Sequence, residues 1–156
     1  MNGLEGAARE FAEGKGYGPR SVDACGWTLL HHATVLSQHR RGMVEVVRGL
    51  LEVMPVEVVD QRTGGSTPAG WSALSLVCNA RDVANVRAQI AQLLVDKRAD
   101  VNVRNPHGAT PLIAACACGN WSAVRVLLDA GADVFATNER GRNALDVTPK
   151  EQTKVV

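Results

Sequence analysis

The chain has 156 residues, 46% hydrophobic and 21% charged, with a formal net charge of +1; this is enough apolar material for one sizeable core, and too small a basic excess for a general phosphate or nucleic-acid binder. Its longest small-and-apolar stretch, Leu112 to Cys118, is far shorter than the roughly 20 residues that span a bilayer, and no run of signal-peptide length follows Met1. Cys25, Cys78, Cys116 and Cys118 lack the spacing of a small disulfide framework, so reduced thiols in the cytoplasm or nucleus are expected.

At the start of the chain Leu4, Ala7, Ala8 and Phe11 recur at helical spacing, and Gly14-Lys15-Gly16-Tyr17-Gly18-Pro19 then interrupts. Residues 1–22 are expected to form a capping helix and a glycine-rich linker. The glycine run is no phosphate loop, because it follows a helix, lacks the G-K-[ST] ending and leads into Pro19.

From Asp23 onward one unit recurs. Gly26-Trp27-Thr28-Leu29-Leu30-His31, Gly70-Trp71-Ser72-Ala73-Leu74-Ser75 and Gly108-Ala109-Thr110-Pro111-Leu112-Ile113 are followed by Leu50-Leu51, Leu93-Leu94 and Leu127-Leu128. A cut-short copy begins at Gly141-Arg142-Asn143-Ala144-Leu145-Asp146. The third copy is the clearest. Asn105-Pro106-His107-Gly108 is a turn signal. Thr110 offers a hydroxyl cap, and Pro111 at the first helical position sacrifices no hydrogen bond. Leu112, Ala115 and Cys116 share a face, and Gly119 ends the helix in left-handed backbone. Asn120 and Ser122 are cap candidates for a second helix. Its Val124, Leu127 and Leu128 follow i, i+3, i+4 as far as Gly131, before an extended Ala132-Asp133-Val134.

The unit lengths are 70−26 = 44, 108−70 = 38 and 141−108 = 33 residues. The step from the residue opening the second helix to its leucine pair is constant: Gly42 to Leu50, Asn85 to Leu93, Gly119 to Leu127. Extra residues therefore belong between the helices, around Ser37–Arg41 and Arg81–Ala84, and in the return around Arg62–Thr67, where Gly64-Gly65-Ser66 lengthens a hairpin. His39-Arg40-Arg41 in the first insertion is the one small basic cluster and reads as solvated surface.

These motifs resemble the ankyrin repeat family, whose unit of about 33 residues starts a helix with T-P-L-H and ends with Leu-Leu then Gly-Ala-Asp-Val-Asn. Thr110-Pro111-Leu112, His31, Leu127-Leu128-Asp129-Ala130-Gly131-Ala132-Asp133-Val134 and Ala99-Asp100-Val101-Asn102 carry the likeness. Arg98 stands where glycine is usual, and Glu52-Val53-Met54-Pro55 replaces the ending in the first copy. The resemblance implies an all-α solenoid of helix-turn-helix units with hairpin loops. About three full repeats (23–66, 67–104, 105–137) and a C-terminal half repeat (138–148) form one domain, followed by a polar tail (149–156). So short an ending suggests a piece of a longer array. The resemblance also implies that His31 bonds hairpin backbone and ties its repeat to the next, with His32 facing outward.

Sites of chemistry are poorly supported. Cys116 and Cys118 point to different helix faces, and Cys116 and Cys78 occupy small core positions. His31, His32 and His39 have no carboxylate or cysteine at matching spacing. There is no nucleophile elbow, and no enzyme, metal or cofactor is expected.

By the resemblance, binding belongs to the concave hairpin and first-helix face. Trp27 and Trp71 directly follow their turn glycines, where each indole either anchors a partner or packs on the neighbouring hairpin. Pro68, Ala69, Asn79, Ala80, Pro106, His107, Glu139, Arg140 and Arg142 fill the same ridge. Trp121 is assigned to packing on the convex side. We expect a monomeric protein-binding scaffold, or a substrate-recruiting or regulatory segment of a larger enzyme assembly such as a ubiquitin ligase or kinase. A weaker third reading makes Asn102, in a family-like asparagine-hydroxylation pattern, a modification target.

Overall fold

Side-chain caps decide where the helices begin. In a computed structural model describing residues 18, 20–37, 42–65, 69–82 and 85–149, the helices are α1 (Leu29–Leu36), α2 (Met43–Val53), α3 (Val56–Val59), α4 (Ala73–Cys78), α5 (Val86–Asp96), α6 (Pro111–Cys118), α7 (Trp121–Asp129) and α8 (Ala144–Val147). The expected N-terminal helix, His39-Arg40-Arg41, Pro68 and residues 150–156 lie outside the described residues.

The residue before each of α1, α4, α6 and α8 is extended and supplies the cap. Thr28, Ser72 and Thr110 accept the N–H of His31, Ser75 and Ile113, and Asn143 accepts those of Leu145 and Asp146. Each satisfies an amide that the first helical turn leaves unpartnered. Pro111 stands at the start of α6 as its fixed φ requires.

The three long helices open from left-handed residues at equivalent places: Gly42 (φ 96°), Asn85 (φ 59°) and Gly119 (φ 67°). Asn120 then accepts the Ala123 N–H at 3.1 Å. Ser122 is not a cap; its hydroxyl donates to Asn85 Oδ1 at 2.8 Å and links α7 to the preceding pair. For α5 the capping acceptor comes from the inserted loop, where the Asp82 carboxylate takes the N–H groups of Arg87 and Ala88.

The helices stack in two rows. The short α1, α4, α6 and α8 lie side by side, α2, α5 and α7 form the second row, and each pair packs as a hairpin. Between the rows run Leu30, Leu74 and Leu112, with Leu50, Leu94 and Leu127, all at most 2% exposed. Cys78 and Cys116 sit in this core as small apolar groups, and burial pushes the Cys78 thiol up to about 12. Short α3 was not foreseen: Pro55 precedes it in extended backbone, and Met54, Val58 and Val59 join the buried core. No strand forms among the described residues. The expected extended return after α7 is instead a turn, in which Asp133 Oδ1 accepts the Phe135 N–H. Trp121, assigned to packing, is 43% exposed at the start of α7.

Candidate protein-binding ridge

Each hairpin tip is held by one polar side chain folding back on its own backbone. Asp23 takes the N–H groups of Cys25 and Trp27 at 2.8 and 2.9 Å. Asn105 takes those of His107 and Ala109, and Asn138 those of Arg140 and Arg142. These are turns built on a short acceptor side chain, closed by Gly26, Gly108 and Gly141 at positive φ. The bonds to Trp27 and Cys25, with His32, hold the Asp23 carboxyl below its ordinary range. In the second hairpin Thr63 Oγ1 does the same for Trp71 N–H, at 3.0 Å. There the step from acceptor to glycine is 70−63 = 7 residues rather than 108−105 = 3, so the insertion lies inside the tip itself.

Successive tips lie backbone on backbone. A Cβ on Gly26 would stand 2.5 Å from Gly64 Cα, and Gly64 N–H donates to the Gly26 carbonyl at 3.0 Å. Two arginines extend the coupling. Arg62 donates to the carbonyls of Gly70 and Arg104, and Arg104 in turn to those of Gly108 and Thr137, at 2.6–3.2 Å. A second line of bonds runs from the Asp100 N–H to the Asp60 carboxylate and from the Asp133 N–H to Asn102 Oδ1. Asn102 is thus exposed but structurally engaged. Burial, against the pull of the Asp100 N–H, raises the Asp60 carboxyl.

His31 ties the first layer to the second. Its Nδ1 accepts the Thr28 N–H at 3.2 Å and its Nε2 lies 3.0 Å from the Gln61 carbonyl. A carbonyl only accepts, so the ring is neutral with its proton on Nε2. Burial, partly offset by the Gln61 bond, brings its pKa down to about 4. His32 faces outward and pairs with Asp23 at 2.8 Å.

The two ridge tryptophans differ. Trp27 is half-buried, its ring 5.2 Å from that of His32 and 6.1 Å from that of His31. Trp71 is only 8% exposed and meets the His107 ring edge-on at 6.1 Å. Along the ridge the later tips carry exposed Ala69, Pro106, His107, Glu139, Arg140 and Arg142. Pro106 leans on Gly70, and Glu139 on Gly108. Asn79 and Ala80 lie elsewhere, at the far end of α4, where the Ala80 carbonyl accepts from Asn120 Nδ2. Exposed Ala24 and Cys25 belong to the ridge as well, since they stand where Pro106-His107 and Glu139-Arg140 stand in later units. That offset from the turn glycine was available in the sequence.

The family model described as ankyrin repeats (many copies) matches residues 93–147. The chain is 31% identical over 127 residues to the human "tRNA endonuclease ANKZF1", covering 79% of this chain and 18% of that protein. It is 31% identical over 111 residues to the mouse "Ankyrin repeat domain-containing protein 63" (70% and 27%), and 36% identical over 95 residues to the rice "Probable E3 ubiquitin-protein ligase XBOS33" (60% and 16%). The chain belongs to the ankyrin repeat family. It spans about a quarter or less of the length of these relatives, and what the family model matches is the repeat. This ankyrin repeat protein is accordingly a protein-interaction module. Among the described residues no helix is long and apolar enough to cross a membrane.

Proposed function

We propose that this ankyrin repeat chain binds a partner protein through its hairpin and first-helix face, centred on Trp27 and the exposed tip residues Pro106, His107, Glu139 and Arg140. The observation that carries this reading is the rigidity of the tips: each is pinned by an Asp, Asn or Thr side chain and coupled to its neighbour by main-chain or arginine bonds. A ridge ordered before binding loses little conformational freedom on association. A half-buried indole beside exposed Asp23 and partly exposed His32 suits an anchor with a polar rim. Trp71 acts in this scheme from beneath, positioning His107. No catalytic role is assigned to these residues.

A second reading, recruitment of a substrate within a larger enzyme, is favoured by the small share of the enzyme-named relatives that the chain spans, 18% and 16%. Affinity capture from native lysate tests the first reading, comparing the wild type with a Trp27→Ala, Arg140→Ala double variant of unchanged melting temperature. Partners captured by the wild type alone support it; identical captures overturn it. A captured set made up of the clients of one enzyme would select the second reading.

A further inference from the structure

Charge is distributed unevenly over the hairpin tips. From the second tip to the fourth, Arg62, Arg104, Arg140 and Arg142 are exposed, and the acid among them is Glu139. The first tip has Asp23 instead, its carboxylate bonded at both oxygens, to the N–H groups of Cys25 and Trp27 and to His32. Asp100 and Asp133 belong to the returns that precede the third and fourth tips, where they accept the N–H groups of Asn102 and Phe135 in their own turns. Asp146, beyond the last tip, turns back to the Asn143 N–H at 3.0 Å. A chain of formal charge +1 thus sets a line of arginines along its tips.

None of these cations is neutralised by an ion pair among the described residues. Arg62 and Arg104 donate to carbonyls, each through Nη1, and a carbonyl orients a guanidinium without cancelling its charge. Arg140 and Arg142 are fixed by their backbone, since both N–H groups end on Asn138 Oδ1. Their exposure is built into the unit. Arg62 and Arg104 stay exposed although each bonds to a further tip stacked beyond it, and Arg140 holds the place of Cys25 and His107, which are exposed in tips that have a successor. An arginine's planar fork matches a carboxylate in two parallel bonds.

We propose that the ridge takes an acidic protein segment laid along the tips, its carboxylates meeting Arg62, Arg104 and Arg140 in turn. This rests on the reading of the tips as the binding face and names the chemistry of the partner. Neighbouring helices pack about 8–10 Å apart and an extended chain advances about 3.3 Å per residue, so successive arginines face side chains about three residues apart. Trp27, at the tip without an arginine, takes an apolar side chain at one end of the same segment. Arginines interrupted by Glu139 suit spaced carboxylates rather than the unbroken charge of a nucleic-acid backbone.

Fluorescence anisotropy with the full chain tests this, using two labelled peptides of about 12 residues that carry Leu near one end and either Glu or Lys at about every third position. The Glu peptide should bind at least about tenfold tighter than the Lys peptide, and should weaken at least about tenfold from about 20 to about 500 mM salt as screening sets in. An Arg140→Glu, Arg142→Glu variant should bind it at least about tenfold more weakly. Because neither side chain is bonded, its melting temperature should stay that of the wild type; an Arg140→Gln, Arg142→Gln variant should show a smaller loss in the same direction. Equal binding of the two peptides, or a Glu peptide indifferent to both variants, overturns the proposal, as does tighter binding of a single-stranded oligonucleotide of equal charge. If the Glu peptide fails to bind while the Trp27→Ala, Arg140→Ala variant still loses captured partners, this inference falls alone; if neither effect is seen, the ridge reading falls with it.

Discussion

The second and third helix pairs follow one backbone path on different residues. In the third, Gly119 and Gly131 take left-handed backbone at φ 67° and 80°; in the second, Asn85 and Arg98 take it at 59° and 66°. The bonds at the ends of α5 and α7 also correspond: Arg98 N–H to Val95 carbonyl and Ala99 to Leu94 in one, Gly131 to Leu128 and Ala132 to Leu127 in the other. The path is thus imposed by stacking on the neighbours, and residue choice decides how much strain accompanies it. A side chain in this region costs on the order of 1 kcal/mol or more, with Asn the most tolerant. The second pair also buries Arg87, whose Nη1 bonds the Leu76 and Val77 carbonyls while Nη2 has no partner. It is the strained layer of the stack, and the third is the relaxed one.

Substitutions can break or sharpen that contrast. Leu112→Ala strikes the relaxed layer where it is best packed and should cost roughly 2–5 kcal/mol in denaturant titrations. Leu145→Ala, in the same register but 78% exposed, should change stability by less than about 0.5 kcal/mol. Equal effects would refute the assignment of the core.

Acid acts on the joint between the first two layers. The unfolded chain takes up a proton on His31 near pH 6.5, and the native ring only near 4. Stability from this group is therefore complete above 6.5 and declines as pH falls through 4, by about 3 kcal/mol in all. His31→Gln should flatten that slope when unfolding is followed from pH 7 to 4.

At the tips, Gly26→Ala would press a methyl into Gly64 backbone and should cost more than about 2 kcal/mol, whereas Gly131→Ala meets nothing within 4 Å and should cost only the roughly 1 kcal/mol of its positive φ. Thermal melts of the two variants will separate close approach from conformation. The smallest effect is a gain: Arg98→Gly should stabilise by up to about 1 kcal/mol. Asn85→Gly should gain less.

Much of the fold was legible because its signals are local. Thr110-Pro111, Gly119 and Asn120 announce helix ends within a few residues, and the constant step to the leucine pair identified Asn85 as a stand-in for glycine. What was hidden depends on distant groups. Arg62 reaches the carbonyl of Arg104, 42 residues away, with no periodic cue to say that it would. Trp71 and Trp27 look alike in the sequence; the first is buried and meets the His107 ring of the next tip, and the second is half-buried beside the histidines of its own helix. Of the ridge residues, the tip positions were legible from their offset to the turn glycine, while Asn79 and Ala80 were drawn in by alignment and lie at the far end of α4.

That tryptophan pair gives the most direct test of the account, in which buried rows hold the stack and the tips are left to bind. Quantitative affinity capture should be run with Trp27→Ala and Trp71→Ala side by side, each with its melting curve. The account predicts that Trp27→Ala melts like the wild type and loses partners, while Trp71→Ala melts at a clearly lower temperature. Full partner capture by Trp27→Ala would contradict it.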